Sequence, residues 1–408
     1  MSIRVNVDRL KADIEALSRI GRDPRGGISR PSFSQADLEA RAWLKDRIQD
    51  AGLTFRQDGA GNTFGRKEGA GKTVMAGSHI DTVLRGGMFD GAAGVVSALE
   101  CLRRIEEEKI PLARPVELVS FTDEEGNLAG DFLGSRAFMG LLNEEEIRHG
   151  KTQLGPPLRE ILKRTEWTVD SILGAHREKP ELEAFVELHI EQGPVLDTEE
   201  IPVGVVEAIA GKHFRRCSFL GKASHAGTTP FELRQDAFLG LADFALKATR
   251  HVATQYYGSL STIGKVNVAP GVFSSVPSQA DFSFEFRSAS KDSLARLEKE
   301  LFQIAEDVAS TRGLGFASKL VDRTDPVELP ARMTGLIREE CDKLGCPWMP
   351  ITSGAGHDAQ ILAGGCDAGM IFVPSTDGIS HSPEETTRWE DLEKGANVLL
   401  QVLIRLAG

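Results

Sequence analysis

The segment Gly77-Ser78-His79-Ile80-Asp81, then Asp90-Gly91 nine residues on, then the adjacent pair Glu124-Glu125, supplies imidazole and carboxylate donors at short intervals. Two further histidines stand in Glu187-Leu188-His189-Ile190-Glu191-Gln192-Gly193 and in Gly378-Ile379-Ser380-His381-Ser382-Pro383. Nitrogen and oxygen donors without thiolate suit Zn2+, Mn2+, Co2+ or Ni2+, and the absence of sulfur weakens any strong preference for zinc. Two such ions about 3.5–4 Å apart need a bridging carboxylate. Asp90 is the candidate, because Phe89-Asp90-Gly91 lies between the Gly86-Gly87 turn and a helix start. A divalent cation lowers the pKa of the water it holds towards about 7, so a neighbouring carboxylate can take that proton near neutral pH. The chemistry expected is hydrolytic attack by an activated water on an amide-type carbon.

Asp81, two residues beyond His79, is placed to orient that imidazole from behind. Glu124 and Glu125 invite two different roles, since successive side chains of an extended segment point in opposite directions. One carboxylate holds a cation while the other faces the water as general base. His149, His176 and His251 read as surface residues, and Glu106-Glu107-Glu108 and Glu144-Glu145-Glu146 as solvated faces. Glu124-Glu125 differs from those runs because it ends an apolar strand and is followed by glycine.

The elements that must carry these groups are legible as apolar runs. Thr73–Gly77, Val116–Thr122 and Ala184–Leu188 read as buried strands that deliver His79, Asp123 to Glu125, and His189 just past their ends, with a helix at about 91–108 between the first two. Functional residues beyond the carboxyl ends of strands, with helices between, are the pattern of an α/β sheet. A helix over 34–51 starts on Ser34 and stops at Gly52, followed by short strands near 53–57 and 62–66. Near residue 210 the texture changes. Strands at 215–220, 259–268, 280–287 and 316–321 interleave with helices at 234–252 and 290–312, the β-α-β-β-α-β order of a ferredoxin-like sandwich. The catalytic domain is therefore expected to be discontinuous, 1–209 and 325–408, around an insertion of 210–324. It resumes with a helix at 331–344, a strand at 369–373 and a last helix at 389–406.

The 408 residues, 41% hydrophobic and 26% charged, favour two domains over one core. A net charge of −12 argues against nucleic acid and anionic membranes as partners. Residues 1–10 carry Arg4, Asp8 and Arg9 with no apolar signal core, so a cytoplasmic protein is expected. Cys101, Cys217, Cys341, Cys346 and Cys366 are scattered and read as free thiols.

In this order the motifs resemble the dinuclear metal amidohydrolases of the M20 peptidase superfamily, in the hydantoinase/carbamoylase branch that holds N-carbamoyl-L-amino-acid hydrolases, allantoate and ureidoglycolate amidohydrolases and β-ureidopropionases. The resemblance runs from about residue 30 to the C-terminus. It includes Leu133-Gly134-Ser135-Arg136, Ser224-His225-Ala226-Gly227-Thr228-Thr229-Pro230, Ser353-Gly354-Ala355-Gly356-His357-Asp358-Ala359 and Met370-Ile371-Phe372-Val373-Pro374-Ser375. The resemblance implies an α/β fold of two domains: a mixed sheet flanked by helices carrying a dinuclear site, with the insertion serving as dimerisation or lid domain. It implies two divalent ions per subunit, one on His79, Asp90 and His189 and the other on Asp90, Glu125 and His381, with Glu124 as the base. It further implies a homodimer in which His225 reaches the partner's site to stabilise the oxyanion, and a substrate whose free carboxylate is clamped by Arg287. Gln192 and the Gly354 to His357 loop, with Gly356 and His357, fall where the family touches substrate.

The sequence departs from the branch where Ser274 replaces its usual asparagine, where Phe214 replaces an arginine of the allantoate enzymes, and where Asn127-Leu128-Ala129 follows Asp123-Glu124-Glu125-Gly126. These changes leave the metal chemistry intact and point away from allantoate. The activity expected is cleavage of a linear C–N bond in N-carbamoyl-L-amino acids or related N-substituted amino acids. The rival expectations are an N-acyl-amino-acid hydrolase or dipeptidase on the same machinery, and a non-catalytic binding descendant.

Overall fold

The computed structural model describes residues 3–150 and 152–408. The chain divides into two compact units: one runs to Glu207 and takes in Leu329–Ile351 and Ala355–Gly408, and the other comprises Ala208–Glu328 with Thr352–Gly354.

The centre of the first unit is four parallel strands in the spatial order Val116–Phe121, Thr73–His79, Leu182–Ile190, Asp367–Val373. Antiparallel strands extend it at both sides: Thr63–Lys67 and Thr54–Gln57 beyond Val116–Phe121, and Val203–Ile209 beyond Asp367–Val373. Every residue of Thr73–His79 and of Val116–Phe121 is buried, as expected of strands covered on both faces. Helix Ala92–Glu107 crosses between these two strands and packs with Trp389–Ala407 and Val7–Leu17 over a core that includes Val74, Ala76, Val95, Leu99, Val186, Leu399 and Leu403. A smaller core, with Phe33, Leu133, Leu158, Trp167 and Ile172, gathers the short helices of residues 133–174.

The second unit is a four-stranded antiparallel sheet in the order Gly315–Thr324, Gly211–Leu220, Gln279–Ser288, Leu260–Ala269. Numbered by position in the unit this is 4-1-3-2, the arrangement of a ferredoxin-like sandwich. Gln279–Ser288 alternates strictly, with Ala280, Phe282, Phe284 and Phe286 buried. These phenyl rings pack with Phe219 and Phe244 against helices Ala237–Gln255 and Lys291–Arg312.

Candidate metal centre

His79 is the last residue of its strand, His189 lies one residue from the end of Leu182–Ile190, and Asp123, Glu124 and Glu125 follow Phe121 closely. The parallel pairing puts all of them at one edge of the sheet. Asp90 stands ahead of helix Ala92–Glu107, whose N-cap Gly91 has φ +63°. A Cβ on Gly91 would lie 2.4 Å from Nε2 of His79, so only glycine lets this turn pass the ring. Gly91→Ala is therefore expected to displace the His79 ring and weaken cation binding by about 10–100-fold, the range seen when the shell supporting a ligand is disturbed; equilibrium dialysis against Mn2+ checks it.

Asp90 sits among three imidazoles. Its Oδ1 is 3.2 Å from Nε2 of His189 and 3.6 Å from Nε2 of His79, and its Oδ2 is 3.1 Å from Nε2 of His381. Glu125 Oε2 is 3.5 Å from His381 Nε2, and Glu124 Oε2 is 3.5 Å from His79 Nε2. His79–Asp90–His189 and Asp90–Glu125–His381 each bring one donor atom per residue within 4.8 Å of one another. Buried Nε2 of His79 and Oε1 of Glu125 have no hydrogen-bond partner. Buried polar atoms are nearly always satisfied, so atoms left over in a ring of imidazole and carboxylate fit a divalent cation. Asp90 belongs to both groups.

The electrostatics agree with that donor set. Burial acts against ionised Asp90, yet the imidazoles of His189, His381 and His79 beside it hold its carboxyl well below the usual range. Burial raises Glu125 to about 8, with repulsion from Asp90 adding to it. Burial likewise pushes Glu124 well above the ordinary carboxylate range, opposed by His79 and reinforced by Glu125, Asp358 and Asp90. The hydrogen bond to Asp90 raises His381 to about 9 against the effect of burial. In the positive-φ region stand Asp123 (+56°), Gln192 (+60°) and His381 (+53°); such backbone is costly for non-glycine residues and clusters at functional sites.

Asp81 differs from the expectation that its carboxylate orients His79. Nδ1 of His79 is 3.0 Å from the backbone carbonyl of Asp81 and 3.7 Å from its carboxylate. Asp81 Oδ1 instead accepts the backbone N–H of Glu124 at 3.3 Å, which ties the two strand ends together. The Nε2 amide of Gln192 donates to Asp90 Oδ2 at 3.0 Å and lies 3.2 Å from His381 Nε2. His357 is buried against His189, ring centroids 4.5 Å apart, and its neighbour Gly356 faces the Phe132 ring, 2.7 Å from where a Cβ would stand.

The remaining predicted residues belong to the second unit. His225 is exposed on a two-stranded ribbon, opposite Ser275, and Ser274 accepts the N–H of Ala226 through its carbonyl at 2.9 Å. Phe214 pairs with Glu285 and with Asp322 in the register of the sheet, and Lys212 Nζ lies 5.3 Å from its ring centroid. Arg287 bonds Glu285 and donates to the carbonyl of Gly354 at 2.5 Å.

Three buried acids near the site escape a reading by motif. Glu187 accepts the hydroxyl of Ser78 at 2.7 Å and the N–H of Ala359 at 2.8 Å. Asp358 is fully buried. Glu385 accepts the N–H groups of Phe89 and Asp90. For Glu187 a signal existed: it precedes His189 by two and so shares its face of the strand.

Known proteins share this arrangement of sequence and fold. The peptidase family M20/M25/M40 matches residues 75–405. An N-carbamoyl-L-amino-acid amidohydrolase of Paenarthrobacter aurescens is 37% identical over 98% of both chains. The allantoate amidohydrolase of Escherichia coli is 32% identical over 96% of both. A solved amidase of the hydantoinase/carbamoylase family from Burkholderia multivorans superposes with a TM-score of 0.93 at 33% identity, covering 100% of this chain and 99% of that one.

Proposed function

The chain belongs to peptidase family M20/M25/M40, in its hydantoinase/carbamoylase branch, and on that premise we propose that it hydrolyses N-carbamoyl-L-amino acids. The observation that carries the reading is Asp90, whose two oxygens face His79 and His189 on one side and His381 on the other. End-to-end likeness to N-carbamoyl-L-amino-acid amidohydrolases supports the substrate class. His79, Asp90 and His189 would hold one divalent cation and Asp90, Glu125 and His381 a second, Zn2+ or Mn2+ first, with Co2+ or Ni2+ as alternatives. Bound there, the cations make a water acidic enough to react and polarise the carbonyl under attack.

Glu124 takes the proton of the attacking water and returns it to the leaving nitrogen, a double task suited to a carboxyl whose pKa burial has raised. The balance is one N-carbamoyl amino acid and one water giving ammonia, carbon dioxide and the free amino acid. Arg287 would receive the substrate carboxylate through paired N–H donors, exchanging its present partners for it. Gln192, Gly356 and His357 of the first unit, and Phe214 and Ser274 of the second, are further proposed substrate contacts.

The partner subunit's His225 would donate to the developing oxyanion, with residues 210–324 as the dimerisation domain. Support for a dimer comes from strand Leu260–Ala269, an edge of its sheet, and from the exposed apolar Leu246, Leu260 and Val266. No helix among the described residues is long and apolar enough to cross a membrane. All five cysteines are free thiols, which goes with a cytoplasmic place of work.

A panel of N-carbamoyl-L-amino acids, N-acetyl-L-amino acids, dipeptides and allantoate, assayed with Mn2+-loaded protein, tests the reading. N-carbamoyl compounds are expected to lead in kcat/KM by about tenfold or more, the discrimination a difference of about 1.4 kcal/mol gives. A lead for N-acetyl compounds or dipeptides would move the protein to the acylase or dipeptidase chemistry of the same machinery.

A further inference from the structure

Glu385 is 5% exposed and lies four residues beyond His381. Its Oε1 accepts the backbone N–H of Phe89 and of Asp90, each at 3.1 Å. Its Oε2 accepts the hydroxyl of Ser380 at 2.9 Å, and that hydroxyl is 3.4 Å from Oδ2 of Asp90. One side chain thus ties the peptide that carries Asp90 to the loop that carries His381, across almost three hundred residues of sequence. The turn before Asp90 is shaped around it: a Cβ on Gly87 would lie 2.2 Å from Glu385 Oε1. Gly87 is not in the positive-φ region, so its backbone does not require glycine and the crowding does.

The hydrogen-bond partners of Glu385 are two amides and a hydroxyl, all neutral. A clamp of purely structural purpose needs only acceptor oxygens. Burying a carboxyl among neutral hydrogen-bond partners is costly, and the nearby Asp90 adds repulsion. A cation held by Asp90 would offset that repulsion.

We infer that Glu385 is a positioning residue for the shared cation ligand: it fixes Asp90 relative to His381, so that cation binding by Asp90, Glu125 and His381 depends on it. The inference rests on the reading of Asp90 as a ligand shared by two cations. Its readout is cation affinity without substrate, so its failure is separable from a failure of the carbamoylase assignment.

The experiment is titration of metal-free protein with Mn2+, following free Mn2+ by electron paramagnetic resonance, for wild type, E385A, E385Q and G87A. E385A is expected to weaken the looser of two Mn2+ ions by about 10–100-fold, as loss of a group supporting a ligand does, while excess Mn2+ restores kcat with KM unchanged. E385Q, which keeps one acceptor oxygen for the two amides, falls between E385A and wild type. G87A, whose Cβ would meet Oε1, Cδ and Cβ of Glu385, is expected to weaken the same ion. Wild-type Mn2+ affinity in E385A, with only thermal stability reduced, would overturn the inference. If E385A fails to fold, E385Q and G87A carry the test: wild-type affinity in both overturns it.

Discussion

Glu124→Gln is expected to keep its cations and lose turnover by about 10²–10⁴-fold, the contribution of a positioned general base. Glu124 is buried, with Oε2 3.5 Å from Nε2 of His79. Glutamine has the same shape and can accept a hydrogen bond there, but it cannot take a proton from water or deliver one to nitrogen. Asp90, Glu125, His189 and His381 are untouched by the change, so metal content measured by mass spectrometry should equal that of wild type. Two outcomes would contradict the assignment. Retained turnover would remove the base from Glu124. Loss of cation together with turnover would make Glu124 a ligand, a possibility given substance by the proximity of its carboxylate to His79 and Glu125.

Asp90→Ala is expected to release cations from both positions, whereas His381→Ala releases only one. The reason is geometric: Oδ1 of Asp90 serves the side of His79 and His189, and Oδ2 serves the side of His381. Removing the carboxylate also leaves three imidazoles facing one another without the anion between them. The loss of affinity should exceed the about 10–100-fold typical of disturbing a supporting group, at both positions, and hydrolysis should fall with it. Metal content of the two variants after dialysis checks this. One cation remaining on Asp90→Ala would show that the carboxylate is not shared.

Much of this could be read from residue order, because the informative features are local. Thr73–His79 and Val116–Phe121 are continuous apolar runs that end in metal-type donors, and helix Ala331–Leu344 is bounded by Pro330 and by Gly345 at φ +63°, signals carried by single residues. The alternating Phe282, Phe284 and Phe286 announced a half-buried strand. The short helices within residues 133–174 were not legible: each spans five to seven residues, too few to show a period, and their apolar side chains meet Phe33 from a distant part of the chain. Nor was the N-terminal helix Val7–Leu17 foreseen, although Asn6 caps it through a side chain that accepts from the N–H of Arg9.

At the site, the expectation for His79, Glu125 and His189 came from donor types at or just past the ends of apolar strands, and the structure gathers them with Asp90 and His381. The parts that hold them in place stayed hidden. Glu385 bonds backbone N–H groups, which leave no mark on the sequence they come from. Arg30, fully buried, donates to the carbonyls of Ile80, Leu17 and Ile20 and so braces the segment after His79, again through backbone alone. Asp81 was read for its carboxylate, whereas its carbonyl lies nearest the His79 ring, a choice made by backbone direction that spacing does not reveal.

The central claim is tested most directly by measuring ammonia and free amino acid together as metal-free protein is titrated with Mn2+ in the presence of an N-carbamoyl-L-amino acid. Equal amounts of ammonia and amino acid, rising with loading to two Mn2+ per chain and abolished by a chelator, are the predicted result. Absence of both products at full loading would contradict the carbamoylase assignment, and products formed with the chelator present would contradict the metal centre itself.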